Sequence, residues 1–302
     1  MKLISIVIPV LNRASLIVRT LDSIAGQNLS ECSIFVVDNG STDGTQDAVL
    51  RWAEAHRVDL TLLSESQLGA SAARNRGLSA VKTPWVMFFD SDDIMKPGHL
   101  EAIYNAIETH PLYDIIGFDI KHYTGKRLIF DTDPWNILFR GSMATQRWVA
   151  RTGLVREADA WNENLTVWDD IELGARIVAL LPLAVKIHNA PGVEWQETPE
   201  SITSRERNLD RPAILSALNA IEKALPELKP VIPFKIAIVA GINYRSNPES
   251  SRALLNDAIA MNRQSQRKLN FIWHLARLRI PGITHLIRLT NPRIGKKNKK
   301  EE

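Results

Sequence analysis

Apolar, largely β-branched runs recur along the first part of the chain, at Leu3–Val10, Ser33–Asp38, Asp59–Ser64 and Trp85–Asp90. Between them apolar residues fall three and four apart, as in Leu16, Leu21 and Ile24, in Ala48, Val49 and Trp52, and in Ala72, Ala73 and Leu78. That alternation predicts a parallel sheet with helices on both faces. IVIPV and IFVVD are apolar without a break, as expected of strands buried on both sides. In such sheets ligands bind beyond the carboxyl ends of the strands, so the residues that end each strand are the ones to inspect.

After Ile107 the pattern loosens. YDIIGFDI and RLIF read as shorter strands, and a mixed stretch follows as far as an acidic helix start near Trp168. From about Leu209 the chain reads as helical, with segments predicted at Pro212–Leu225, Pro233–Tyr244, Pro248–Asn262 and Gln266–Leu278, punctuated by Pro226, Pro230 and Pro248. A boundary near Ser204 gives a first domain of residues 1–204 and a helical region of 205–302. The first domain divides into a half of about 1–110 and a half of about 111–204. The terminal KKNKKEE is too polar to join a core and is expected to be disordered.

Composition changes this picture in two places. The single cysteine, Cys32, excludes an internal disulfide, reads as a small core residue, and points to no oxidising compartment. The apolar run at the N-terminus is too short to span a bilayer, so it is read as a strand, and the expected location is the cytoplasm. The net charge of +3 conceals an asymmetry. Residues 258–300 hold eleven basic residues and no acidic one, which leaves the first 257 with 26 basic against 32 acidic.

Three strand ends carry candidate chemistry. In VMFFDSDD, Asp90 and Asp92 are two apart, and an extended backbone would point both carboxylates the same way. Such a pair repels unless a cation lies between, and hard divalent ions take oxygen ligands. A plain acidic turn before the next helix is the competing reading. In VVDNGSTDGT, Asp38 ends a strand, where its carboxylate either accepts a uracil imide N–H or ribose hydroxyls, or only braces the loop. Thr42 or Asp43 can cap the helix that follows. In QLGASAARNRGL, Gly69 permits close approach of a ligand to the backbone. Arg74 and Arg76 either face nucleotide or diphosphate, or are solvated helix arginines.

Taken together with SIVIPVLNR, these segments resemble the family 2 glycosyltransferases of the GT-A fold. The resemblance is close over about 100 residues and thinner to about residue 205. It implies a UDP- or similar nucleotide-sugar donor, a divalent metal (Mn²⁺ or Mg²⁺) held at a D-x-D motif, and inversion at the anomeric carbon. Pro9, Val10 and Asn12 match the first-strand signature. By position, Pro9, Val10, Asn12, Asp38, Gly69, Arg74, Asp90 and Ser91 would serve the nucleotide sugar, with Asp92 and Asp90 on the metal; the role of Asp93 stays open.

WNENLTVWDDIELGARI has Asp169-Asp170 where the family has a Glu-Asp pair, and the resemblance makes Asp170 the catalytic base, with Asp169 beside it. The competing reading is stabilisation of the helix dipole by acids in the first turn. The family's histidine some thirty residues later is replaced by Thr198 in WQETPESIT, with Glu197 or His188 as substitutes for it. The QxxRW run of processive synthases is absent, which favours single additions to a glycan or lipid-linked acceptor, as in bacterial surface polysaccharide or glycolipid synthesis. Trp135, Arg140 and Arg147 are candidates for the acceptor side.

RKLNFIWHLARLRIPGITHLIRL mixes bulky apolar residues with cations, and two readings stand for it. One is a segment lying on an anionic membrane surface, at the inner face of the cytoplasmic membrane, with Phe271 and Trp273 inserted. The other is an ordinary packed helix. Nucleic acid is not expected, since no binding module accompanies the cations. Other activities are a nucleotidyltransferase-like enzyme or a non-catalytic nucleotide-sugar-binding protein of the same fold. A dehydrogenase is disfavoured because the first strand lacks a G-x-G-x-x-G turn.

Overall fold

The structure, a computed structural model, describes residues 2–122, 125, 127–188, 190–196 and 210–291. The chain opens with β1 (Ile4–Val10), α1 (Ala14–Ala25), β2 (Cys32–Asp38), α2 (Thr45–His56), β3 (Leu60–Ser64), α3 (Ala70–Ala80) and β4 (Trp85–Phe88). It continues through β5 (Ile94–Met95), α4 (His99–Thr109), β6 (Ile115–Phe118), β7 (Ile120–His122), β8 (Arg127–Leu128), α5 (Pro134–Arg140), β9 (Trp148–Arg151) and α6 (Thr152–Glu157). Then come α7 (Asp169–Ala179), β10 (Ala184–Ile187), β11 (Val193–Trp195), α8 (Arg211–Ala224), α9 (Ile232–Asn243), α10 (Pro248–Met261), α11 (Gln266–Arg277) and α12 (Ile283–Thr290). Two compact units emerge. One holds all the strands with α1–α4 and α6; the other gathers α5, α7 and α8–α12.

In the first unit seven strands lie in the order β10-β6-β9-β4-β1-β2-β3. The half formed by β1 to β4 is parallel throughout, β1 pairing with β2 and β4, and β2 with β3. The expected parallel sheet is interrupted by β9, which runs antiparallel between β4 and β6. A smaller sheet has the order β5-β11-β7-β8. As the unbroken apolar runs predict, Ile4, Ile6, Val7, Ile8 and Val10 of β1 are all buried. The buried stripe of α1 is Ile17, Thr20, Leu21 and Ile24, so it passes through Ile17 where the spacing had suggested Leu16. At Gly77 of α3 an added Cβ would lie 2.4 Å from Val7 Cγ1 and 3.1 Å from Val37 Cγ2, so the helix seats directly on β1 and β2.

The second unit is built around α9, whose IPFKIAIVAGIN is buried on nearly every side, as expected of a helix apolar all round. Gly241 makes the close crossing with α11: a Cβ there would lie 2.5 Å from the Trp273 carbonyl oxygen and 2.6 Å from Ala276 Cβ. Trp273 Nε1 donates to Ser251 Oγ at 3.0 Å, and Ser251 Oγ donates to the Ala240 carbonyl at 2.6 Å, which ties α11, α10 and α9 together. Asp133 caps α5, accepting from Trp135 N at 2.8 Å, with Pro134 in the first turn. Among the described residues no helix is long and apolar enough to cross a membrane.

Candidate active site

The carboxyl ends of β1, β2 and β4 come together because the three strands are neighbours. The Phe89 N–H donates to the Val7 carbonyl at 2.9 Å, so Val7 faces β4. Pro9, two residues on, faces the same edge after β4 has left the ladder, where a missing N–H costs nothing. Val10 is buried and accepts from Asn39 N at 2.9 Å. Asn12 takes a left-handed φ of 52°, a conformation asparagine tolerates. Its Oδ1 accepts from Thr42 N at 2.8 Å and its N–H donates to Ser41 Oγ at 2.9 Å, which fastens the loop after β1 to the loop after β2.

Asp38 is 1% exposed. Its Oδ2 accepts from Gln46 Nε2 at 2.7 Å and Ser41 N at 3.2 Å, while its buried Oδ1 has no hydrogen-bond partner in the structure. A buried acceptor left unpaired costs about 1–3 kcal/mol, so this oxygen is open to a donor from outside the chain. Asn39 contributes more than turn chemistry. Its amide donates to the carbonyls of Glu65 (3.1 Å) and Gln67 (2.7 Å), and its Oδ1 accepts from Gly69 N at 2.7 Å. The side chain thus locks the loop after β3 onto the end of β2. Asp43 accepts from the backbone N–H of Thr45, the first residue of α2, at 3.0 Å, and also from Ala14 N at 3.0 Å and Thr45 Oγ1 at 2.5 Å, while Gly44 stands at the cap position itself. Gly69 has a φ of +141° with no atom within 4 Å of where a Cβ would stand, which leaves the entrance of α3 open to a ligand.

Arg74 and Arg76 part company. Arg74 is buried, its Nη2 donating to Asp90 Oδ1 at 2.8 Å and its guanidinium lying 4.3 Å from the centre of the Trp161 ring. Arg76 is exposed on α3, where its Nη1 reaches Ser79 Oγ at 3.5 Å.

The DSDD segment departs from the extended backbone expected of it. Strand β4 ends at Phe88, and Ser91 and Asp92 lie in a turn. Period-two alternation therefore does not orient Asp90 and Asp92; arginines do. Asp90 meets Arg74, and Asp92 Oδ2 lies 3.8 Å from Arg13 Nη2. Ser91 is buried. Asp93 turns fully inward and accepts from Gln146 Nε2 and, at 2.8 Å, from Gln196 N. Burial, and then repulsion from Asp90 and Asp92, push its carboxyl well above the usual range.

That orientation leaves Asp90 and Asp92 as the carboxylates of the run suited to a cation. No cluster of three or more His, Cys, Asp or Glu side chains is placed to hold a metal among the described residues. Two carboxylates still fit Mg²⁺ or Mn²⁺, because such ions commonly take one or two protein oxygens and complete their shell from phosphates and water. His188 is exposed, and Glu197 and Thr198 lie outside the described residues.

Asp169 and Asp170 open α7, both partly exposed, and Asp170 Oδ1 accepts from Ile171 N at 2.8 Å. The third acid, Glu172, is buried and held by Arg176 through two bonds of 2.7 Å. Trp168, just before the helix, has a left-handed φ of 56°, and the Lys235 ammonium lies 5.0 Å from the centre of its ring. Burial brings Lys235 down to about 8. Of the residues suggested for the acceptor side, Trp135 and Arg147 are buried and Arg140 is exposed.

A family profile described as "Glycosyl transferase family 2" matches residues 5–157. The glycosyltransferase GlyG of Streptococcus pneumoniae is 33% identical over 119 residues, 38% of either chain. A PGL/p-HBAD biosynthesis glycosyltransferase of Mycobacterium tuberculosis is 30% identical over 176 residues, 57% of this chain and 68% of that one. The chain spans 38% of GlyG and 15% of a second pneumococcal relative, GlyA. Among solved structures, S. aureus TarS 1–349 in complex with UDP-GlcNAc superposes with a TM-score of 0.65 at 17% identity, covering 97% of this chain and 92% of that one. The mannosyltransferase PcManGT of Pyrobaculum calidifontis, in complex with GDP-Man and Mn²⁺, gives 0.59 at 20% identity over 95% and 87%. Both likenesses are likenesses of fold.

Proposed function

This chain belongs to glycosyl transferase family 2, and on that premise we propose that it moves a sugar from a nucleotide-diphosphate sugar to an acceptor hydroxyl with inversion. The observation that carries the reading is the buried, unpartnered Oδ1 of Asp38 at the end of β2, separated only by β1 from β4, the strand that leads to Asp90 and Asp92. A nucleobase imide N–H satisfies that oxygen. With Oδ2 already taken by Gln46 and Ser41, one acceptor is left, which suits the single imide donor of uracil better than the paired donors of guanine. The donor is therefore read as a UDP-sugar, bound by residues 1–110, with the acceptor, a glycan or lipid-linked sugar, bound by 111–204.

In this reading Pro9, Val10, Asn12 and Asp38 hold the nucleoside, and Gly69 lets backbone approach the donor. Asp90, oriented by Arg74, and Ser91 lie along the ribose and diphosphate. Asp92 and Asp90 would hold a divalent ion, which when bound would offset the charge of the diphosphate. The acceptor oxygen bonds to the anomeric carbon as the bond from that carbon to the diphosphate oxygen breaks. The hydroxyl proton passes to the carboxylate of Asp170, and the nucleoside diphosphate leaves with the bond's electron pair. The enzyme works in the cytoplasm on surface polysaccharide or glycolipid precursors.

A panel of UDP-, GDP- and dTDP-sugars, with and without Mn²⁺, tests the reading by thermal shift and by hydrolysis of the donor. UDP-sugars should stabilise the wild type and fail to stabilise Asp38→Ala. Equal stabilisation of the two proteins would remove Asp38 from the donor site. Release of pyrophosphate from a nucleoside triphosphate would instead mark a nucleotidyltransferase.

A further inference from the structure

The two readings of the basic C-terminal segment each describe one side of it. On the inner side of α11, Leu269, Ile272, Trp273 and Ala276 are buried in the helical unit, and on α12 Ile283 and Ile287 are buried. Trp273, hydrogen-bonded to Ser251, belongs to the core and does not insert into anything. The outer side is different. Phe271 is 55% exposed, Leu278 66%, Ile280 44%, Leu286 41% and Leu289 66%. A third of the large apolar residues exposed among the described residues thus fall between positions 271 and 289.

The charge around them is of one sign. Arg267, Lys268 and Arg279 are exposed, and residues 258–300 contain no acid. Two other cations of the segment are engaged within the unit: Arg277 lies 4.0 Å from the centre of the Tyr244 ring, and Arg288 donates to Asp133 at 3.0 Å. The sequence then adds Arg293, Lys296, Lys297, Lys299 and Lys300. Exposed bulky apolar side chains in one segment with exposed cations are the arrangement by which amphipathic helices lie in the headgroup layer of an anionic bilayer.

We propose that the outer side of α11 and α12, with Phe271, Leu278, Ile280, Leu286 and Leu289 as the inserting residues, rests on an anionic lipid surface. A nucleic acid would use the cations but gain nothing from the five apolar side chains, and a second copy of this chain is the alternative outcome of the test. The proposal does not depend on the transfer reaction, because vesicle binding is read without donor or acceptor.

The test is co-sedimentation of the full chain with phosphatidylcholine vesicles and with vesicles containing phosphatidylglycerol, at low and high salt. Three proteins are compared: wild type, Leu286→Ser/Leu289→Ser, and Arg267→Glu/Lys268→Glu/Arg279→Glu. Wild type should bind the anionic vesicles, weaken with salt as screening shortens the reach of the charges, and bind neutral vesicles at least about tenfold less. Each variant should lose at least about tenfold on anionic vesicles while keeping its thermal midpoint. Absence of wild-type binding at low salt overturns the proposal, as does unchanged binding by the leucine variant. So does a concentration-dependent dimer abolished by the leucine substitutions, which would make a second copy the occupant. If the leucine variant fails to fold, the charge-reversal variant and the salt series decide.

Discussion

Arg74 donates a 2.8 Å hydrogen bond to Asp90 while its guanidinium stacks on Trp161, so a carboxylate at one strand end is positioned by a side chain from the helix that follows β3. The buried arginine is held on one face by an aromatic ring and at its edge by a charge. A lysine can donate to a carboxylate, but it lacks the planar guanidinium that here meets the ring and the carboxylate at once.

Arg74→Lys is therefore expected to weaken nucleotide-sugar affinity by roughly tenfold or more, the worth of one charged hydrogen bond. Titration calorimetry with a UDP-sugar reads it directly. Unchanged affinity would show that Arg74 only packs, without orienting Asp90 for a ligand.

Asp92→Ala should remove the metal dependence of donor binding without unfolding the protein. Asp92 lies 3.8 Å from Arg13, too long for a strong hydrogen bond, so that pair itself contributes little to the fold. Asp93→Asn is the contrast: its buried carboxyl joins Gln146 to the Gln196 backbone, and the change should lower the thermal midpoint. Calorimetry with and without Mn²⁺, beside melting curves, separates the two. Equal metal dependence in Asp92→Ala and wild type would sink the assignment.

The parts of this molecule that the sequence reveals are those governed by local rules. Unbroken apolar strands, spacing of three and four, and proline punctuation place β1 to β4 and α8 to α11 within a few residues of their observed ends. What stays hidden depends on contacts across the chain. Strand β9 is four residues, WVAR, with no period to detect, yet it fills the gap between β4 and β6. Asn39 reads as an ordinary turn residue until the loop after β3 folds over it. The DSDD run invites a period-two argument, and only the structure shows that a turn and two arginines set those carboxylates. The tail divides into a packed and an exposed side only once α9 is in place to bury Leu269 and Trp273.

Asp170→Asn should retain donor binding and lose transfer by at least about 10²-fold, the contribution of a positioned general base. Glu172 cannot substitute, because Arg176 binds both of its oxygens. Asp169→Asn is the control. If it is the crippled variant and Asp170→Asn turns over normally, the base is Asp169.

Stability should fall in acid for a reason that one residue isolates. His99 is fully buried at the start of α4. Its Nδ1 accepts from Gly192 N at 3.3 Å, which puts the ring proton on Nε2, and its ring stands edge-on to Phe118 at 4.3 Å. Burial lowers its pKa to about 3 from 6.5. Between those values the unfolded chain binds a proton that the folded chain does not, so unfolding gains as pH falls. Stability attributable to this site is complete above pH 6.5 and drains as pH drops toward 3, with a slope approaching about 1.4 kcal/mol per pH unit. His99→Asn can keep an acceptor for Gly192 N and cannot titrate in this range. Urea unfolding at pH 7, 6, 5 and 4 should show the variant losing less stability than wild type at each acid step, whatever its starting value at pH 7. Parallel pH profiles for the two proteins would mean that His99 titrates alike in the folded and unfolded chain.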